Sequence, residues 1–157
     1  MTKKTKEQKT ESETDMMTAA FNYWFSDNGH VRSPFPVYIQ EELREKSISK
    51  FLSWTQKVPV KAKKEINDEI VAEKFEEILF EAALNLVITE DEKLTIRYPF
   101  MIRIGDVIKV KGVDDKEAES KVIDRWFFKK GDEAFMKAKL QNISSGNEWE
   151  TDFELPE

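Results

Sequence analysis

The stretch from Ala62 to Leu86 is the longest strongly periodic segment of this 157-residue chain. Its apolar residues recur at three-, four- and five-residue steps, and charged residues fall mostly on the opposite side, which is the pattern of an amphipathic α-helix. The segment therefore predicts a helix of about six to seven turns, against which the remaining elements pack. The apolar stripe consists of Ile66, Ile70, Val71, Phe75, Ile78, Leu79, Ala82, Ala83, Leu84 and Leu86.

Two shorter helices are predicted before this segment. Apolar residues recur at helical spacing after Asp15, which predicts a helix from about Met16 to Asp27. The alternative is a β-hairpin that turns at Asn28-Gly29. A loop with two prolines follows, and a second helix is predicted from about Val37 to Gln56. Val58-Pro59 ends it, because a residue that precedes proline is disfavoured in a helix.

The chain changes from a helical period to an alternating one after Val87. Alternation of apolar and polar residues, bounded by turn residues, predicts β-strands. The connections are short, so we expect an antiparallel meander. The five predicted strands are Leu94–Tyr98, Val107–Lys111, Ser120–Lys129, Glu133–Asn142 and Glu148–Leu155.

The last predicted hairpin has a register that its apolar residues and its charges both favour. A turn centred on Ser145-Gly146 places Asn142 opposite Trp149, so that small residues face large ones on the apolar side. Cross-strand pairs of opposite charge then lie on the other side of the hairpin. These pairs are Lys139 with Asp152 and Lys137 with Glu154.

The hairpin before it carries a pair of phenylalanines on its outer side. A two-residue turn sets Phe128 opposite Phe135, whereas a three-residue turn sets Phe127 there. A phenylalanine pair left in water is an adhesive patch. We therefore expect either the N-terminal helices or a partner to cover it.

Five short antiparallel strands, a polar loop after the second, and the phrase IGDVIKV at residues 104–110 resemble a Tudor-type small barrel. The resemblance covers Leu94 to Leu155 and implies a strongly curved sheet without implying any site residue. The predicted fold class is therefore α+β. In it, N-terminal helices pack on a C-terminal five-stranded antiparallel sheet that is strongly curved or closed into a small barrel.

The length of the chain suits one ordinary domain. Residues 1–14 have no apolar residue after Met1 and balance lysines against acids, so they predict a disordered tail. Residues 15–88 form the predicted helical part, and residues 89–157 form the predicted meander or small barrel. We expect all of them to belong to one compact domain.

The residue types that most catalytic and metal sites use are scarce. The chain has no cysteine, a single histidine (His30), only five glycines and no phosphate-binding loop motif. We expect no catalytic site, no cofactor and no metal, and hence no enzymatic activity. No apolar run approaches ~20 residues and the N-terminus has no signal-peptide pattern, so we expect a cytoplasmic protein without a membrane partner.

Large aromatic residues are concentrated in two short segments, at residues 21–35 and 126–135. Such residues are favoured anchors of protein interfaces; the alternative is that they close the core. Charge is also segregated, with acids in residues 76–92 and 148–157 and bases on the strands between. Together these features predict a non-enzymatic protein-interaction or adaptor and assembly module that binds another protein or a second copy of itself. The candidate interaction residues are Trp24, Phe35, Trp126, Phe127, Phe128 and Phe135.

Basic residues accompany these aromatics on the predicted strands, which is the pattern of a nucleic-acid-binding sheet. The formal charge of −6 and the pI of about 5.1 oppose broad contact with phosphates. Nucleic-acid binding by a small barrel is therefore the alternative function. The candidate basic face consists of Arg97, Arg103, Lys109, Lys111 and Arg125.

Overall fold

A computed structural model describes residues 2–111 and 117–156, and the side chains of residues 13–109 and 119–156. Its helices and strands confirm the α+β class, with helices before an antiparallel sheet that is curled as a half-barrel. The helices are α1 (Thr2–Trp24), α2 (Val37–Lys57), α3 (Val60–Lys63), α4 (Asp68–Leu86) and α5 (Glu90–Arg97). The strands are β1 (Val107–Lys111), β2 (Glu117–Lys130), β3 (Glu133–Asn142) and β4 (Glu148–Glu154).

The chain divides into two compact units, Met1–Pro99 and Phe100–Glu157. We call them the helical unit and the strand unit. The division falls after α5, whereas the sequence predicts one compact domain with helices up to residue 88. Across the described ranges, no helix combines the length and the apolar character that a membrane crossing requires.

Helix α4 supplies the centre of the core of the helical unit. Phe75 and Leu79 have no exposed surface. The ring of Phe75 packs edge-on against Phe21 of α1 and Phe51 of α2, with a centroid distance of 5.4 Å in both cases. One aromatic side chain therefore joins three helices. The predicted apolar stripe is confirmed as core from Val71 to Leu86, whereas Ile70 is 42% exposed and Ile66 lies before α4.

The predicted single helix from Ala62 to Leu86 is wrong at its N-terminal end. Asn67 interrupts it, because its side chain accepts a hydrogen bond from the Ile70 backbone N–H at 2.9 Å and begins α4. Asp68 and Glu69 then occupy the first turn, where negative charge suits the helix dipole. The residues before this cap form only the short helix α3.

Helix α1 is confirmed against the hairpin alternative, but its bounds differ from those predicted. It ends at Trp24, and Asn28 pairs with Val31 in a tight turn in which Gly29 has a φ of 61°. The helix begins at Thr2 and so crosses residues 2–14, for which the sequence predicts a disordered tail. Lysine, glutamate and glutamine are good helix formers, and lysine–glutamate pairs at a spacing of four residues support a helix.

The first predicted strand, Leu94–Tyr98, is wrong because this segment belongs to α5. The Thr89 side chain accepts a hydrogen bond from the Glu92 backbone N–H at 3.1 Å, and the Glu92 carboxylate accepts one from the Thr89 N–H at 2.9 Å. This reciprocal capping box nucleates the helix. Leu94 and Ile96 are buried residues of this helix, although apolar and polar residues alternate in the segment as they would in a strand.

The strand unit is a four-stranded antiparallel meander in the order β1-β2-β3-β4, so the prediction of five strands is corrected to four. Gly131, with a φ of 64°, permits a two-residue turn that sets Phe128 opposite Phe135. That register, one of the two left open by the sequence, is confirmed. The register shifts between Val122 and Asp124, where β2 carries a bulge.

The β3–β4 register predicted from the sequence is wrong by two residues. Leu140, not Asn142, lies opposite Trp149. The Asn142 side chain accepts hydrogen bonds from the Ser144 and Ser145 N–H groups at 2.9 Å, and the turn is centred on Ser144-Ser145 instead of Ser145-Gly146. The two-residue shift keeps each side chain on its predicted face but changes the charge pairs. The observed ion pairs are Lys137 with Glu150 at 3.6 Å and Lys139 with Glu148 at 3.0 Å.

Candidate protein-interaction surface

The two faces of the sheet differ sharply in burial. Val122, Met136, Ala138 and Leu140 occupy one face and have no exposed surface. The bulge in β2 is what places Val122 on this face. Without the extra residue, Val122 would share the other face with Trp126, because a shift of one residue exchanges the faces of a strand. We call the face opposite the buried one the outer face.

An outer aromatic patch, formed by Trp126, Phe128 and Phe135, lies on that face. Phe128 and Phe135 are half-buried and stack with a centroid distance of 5.3 Å and an interplanar angle of 20°. Trp126 retains 37% of its surface exposed. The Lys137 Nζ lies 5.8 Å from the centroid of Phe128, which is within the range of a cation–π contact.

Strand β4 adds a row of exposed carboxylates to the outer face beside this patch. Glu148 and Glu150 pair with Lys139 and Lys137. The pKa of Lys139 is raised, first because of its hydrogen bond to Glu148. Asp152 and Glu154 make no ion pair with any described side chain. The register aligns Asp152 in one row with Lys137 and Trp126, and Glu154 in the next row with Phe135 and Phe128.

The net charge of the outer face is negative. It carries five lysines and seven carboxylates among the side chains that the structure describes. A surface with this balance attracts a basic partner more strongly than an acidic one. The lysines are Lys109, Lys121, Lys130, Lys137 and Lys139, and the acids are Glu119, Asp124, Glu133, Glu148, Glu150, Asp152 and Glu154.

Trp24 and Phe35, two of the predicted interaction residues, are buried in the core of the helical unit. Each packs against Phe80 with a centroid distance of 5.0 Å. The Trp24 Nε1–H also donates a hydrogen bond to Glu76 at 3.3 Å. Their assignment to an interaction surface is therefore corrected, because α1 and the loop after it bury these rings against α4.

The remaining predicted interaction residues lie in the strand unit, but on two faces. Trp126, Phe128 and Phe135 form the outer aromatic patch. Phe127 is 43% exposed and points to the opposite side of the sheet, where it pairs with Met136. Only the first three residues therefore come together on one surface.

Within the strand unit, Lys109 and Arg125 of the predicted basic face lie on opposite faces of the sheet. Arg125 is 4% exposed and donates a hydrogen bond from its guanidinium to the Ile102 carbonyl oxygen at 2.7 Å. Lys109 is exposed on β1 and Arg103 is half-buried in the loop before it. The side chain of Lys111 lies outside the described residues. The fifth member, Arg97, belongs to the helical unit.

Arg97 lines a shallow pocket of about 360 Å³ between α4 and α5. Lys93 lines it from the same helix, and Glu81 and Asn85 line it from α4. The sequence did not indicate this pocket, because the interpretation of Leu94–Tyr98 as a strand separated its residues. The capping box at Thr89 was the local signal for a helix there.

In the part of the chain with described side chains, no group of three or more histidine, aspartate or glutamate residues is placed to hold an ion. The chain matches no protein-family model, no curated protein and no solved structure.

Proposed function

We propose that this protein is a non-enzymatic protein-interaction module, and that the outer face of its sheet docks a protein partner with a basic surface. One observation carries the proposal. The exposed ring of Trp126 and the stacked pair Phe128–Phe135 stand in the same cross-strand rows as Asp152 and Glu154. No described side chain forms an ion pair with either carboxylate. The non-enzymatic part rests on the sequence alone, with its lack of cysteine and its single histidine.

The outer aromatic patch and the carboxylates beside it have the composition of a protein-binding hot spot. Interfaces concentrate their energy in a few aromatic anchors, and surrounding polar groups supply orientation and selectivity. Burying one such side chain contributes about 1.5–3 kcal/mol. Two carboxylates beside the aromatic anchors favour lysine or arginine on the partner and disfavour acidic competitors.

The alternative function, nucleic-acid binding, requires a continuous positive face. Two lysines beside the outer aromatic patch, Lys137 and Lys139, are already paired with Glu150 and Glu148. Carboxylates outnumber lysines among the described side chains of this face, so phosphates would be repelled. The charge distribution therefore favours a protein partner over a nucleic acid.

Affinity purification from the source cell tests the proposal. The wild type, Trp126→Ala and Ile88→Ala are compared, each with and without nuclease treatment. Ile88 is an exposed apolar residue of the helical unit, so it controls for general hydrophobic adhesion. We expect a basic protein partner that survives nuclease treatment, is lost with Trp126→Ala and is retained with Ile88→Ala. If nuclease treatment abolishes capture of the partner, the nucleic-acid alternative is supported. If Trp126→Ala leaves capture of the partner unchanged, this docking surface is refuted.

A further inference from the structure

The free edge of the sheet at β4 has the features of a site for strand addition. β4 is the last strand of the order β1-β2-β3-β4, so only one of its sides is paired. No backbone hydrogen bond of residues 148–154 within the described chain reaches beyond β3. An extended edge of this kind is a template for an additional strand.

The direction of the backbone groups of β4 follows from two hydrogen bonds at its ends. The Asn142 N–H donates to the Asn147 carbonyl at 2.8 Å, and the Leu155 N–H donates to the Ala134 carbonyl at 2.9 Å. Hydrogen-bonded pairs recur at every second residue of an antiparallel ladder. Odd-numbered residues of β4 therefore bond to β3, whereas Glu148, Glu150, Asp152 and Glu154 direct their N–H and C=O groups to the free edge.

The side chains along this edge alternate in character. On the outer face, every second residue of β4 carries an exposed carboxylate, which makes four in all. The side chains of the opposite face, Trp149, Thr151 and Phe153, are only half-buried. Like charges directly opposite each other destabilise a sheet, so two copies of β4 would not pair. A strand laid along β4 would be stabilised by basic residues on the outer face and apolar residues on the other.

We infer that the partner contributes an extended segment of alternating basic and apolar residues, which adds to β4 as a fifth antiparallel or parallel strand. This inference rests on the proposed function and specifies its partner. The opposite edge is less suitable for such a segment, because β1 presents Val107 and the cation Lys109 on the outer face. Main-chain hydrogen bonds would provide affinity, and the alternation of side chains would provide specificity.

A synthetic peptide of nine alternating lysines and valines serves as the probe, and a glutamate–valine peptide of equal length is its control. Binding to the full chain is measured by calorimetry at two salt concentrations, and amide exchange is followed by NMR. We expect the lysine–valine peptide alone to bind, with an affinity that falls as salt rises. We also expect slower exchange at the outward amides of Glu150 and Asp152, while the β3-bonded amides stay unchanged.

Three variants separate backbone pairing from charge. Asp152→Pro removes one outward N–H without removing a bond to β3, because the Asp152 N–H is directed to the free edge. Proline is tolerated at such a position of an edge strand. Asp152→Asn removes only the charge, and Glu73→Gln makes the same change of charge on an exposed residue of α4. We expect Asp152→Pro to weaken peptide binding roughly tenfold, Asp152→Asn to weaken it less, and Glu73→Gln to leave it unchanged.

Each contrary result has a definite meaning. A peptide that fails to bind, or that binds without protecting the amides of Glu150 and Asp152, overturns strand addition even if Asp152→Pro does not fold. If Trp126→Ala still abolishes partner capture, the proposed function stands without the inference. Self-association of the wild type that the peptide reverses would instead assign the edge to a second copy of the chain.

Discussion

Individual side chains of α4 differ in how much stability depends on them. Phe75 is fully buried between Phe21 and Phe51, and Ile78 is also buried, whereas Glu77 is exposed and pairs with Lys74 at 3.5 Å. We expect Phe75→Ala and Ile78→Ala each to lower the free energy of unfolding by about 2–5 kcal/mol. Glu77→Ala should lower it by less than ~0.5 kcal/mol. Urea denaturation measures the three values, and equal costs would contradict the assigned helix face.

A substitution at Phe135 shows whether the chain itself or a partner covers the phenylalanine pair Phe128–Phe135. Phe135 is half-buried and stacks on Phe128. Under the proposed function, Phe135→Ser should shift the melting temperature by no more than about 4 °C and should abolish partner binding. A large loss of stability with binding retained would mean that the chain itself covers the pair. Calorimetric melting and affinity purification of the same variant provide the two measurements.

At the scale of elements, the start of α5 depends on a carboxylate that also reaches α2. Tyr38 of α2 donates a hydrogen bond to the Glu92 carboxylate at 2.5 Å, and this bond is the main reason that the pKa of Glu92 lies below its ordinary value. A lowered pKa stabilises the folded state above the unfolded pKa of 4.5, and that contribution is lost as the pH falls through the folded pKa.

The pH dependence of Glu92→Gln follows from this sign. Glutamine retains a side-chain oxygen for the capping box but cannot ionise. The melting temperature of the variant should therefore be lower than that of the wild type near neutral pH, and the difference should shrink as the pH falls below 4.5. Thermal melts across this range measure it. A difference that stays constant with pH would show that the charge of Glu92 contributes nothing.

The N-terminal part of α1 contains no apolar residue that could anchor it. Among the side chains of α1 that the structure describes, from residue 13 onward, the buried ones are Met17, Phe21 and Trp24. Helices without tertiary packing are marginal in water. Deleting residues 1–14 should therefore change the melting temperature by no more than about a degree or two. A substantial drop would show that this segment packs on the rest of the chain.

At the scale of the whole molecule, the described residues of the helical unit form a hydrophobic core. Every member of the cluster around Phe75 lies between Met16 and Ile96. We therefore expect residues 1–99 to fold without the strand unit, with a helical circular dichroism spectrum and a single cooperative thermal transition. A non-cooperative melt of this fragment would mean that its core requires the strand unit.

The sequence by itself determined the features that depend on local periodicity. The apolar stripe of α4 from Val71 onward and the bounds of β1 and β3 follow from side-chain spacing and turn residues. The outer position of Phe135 was equally readable, because alternation fixes the face of a strand residue once its neighbours are buried. These are short-range relations, in which a residue is specified by others within a few positions.

Only the tertiary structure decided the features that depend on distant partners or on competing local bonds. Leu94 and Ile96 alternate as a strand would, yet the capping box at Thr89 makes their segment helical. The hydrogen bonds of Asn142 moved the centre of a turn by one residue and the β3–β4 register by two. The burial of Trp24 against Phe80 and the bulge beside Val122 then selected which aromatic residues remain at the surface, because burial depends on long-range packing that spacing alone does not encode.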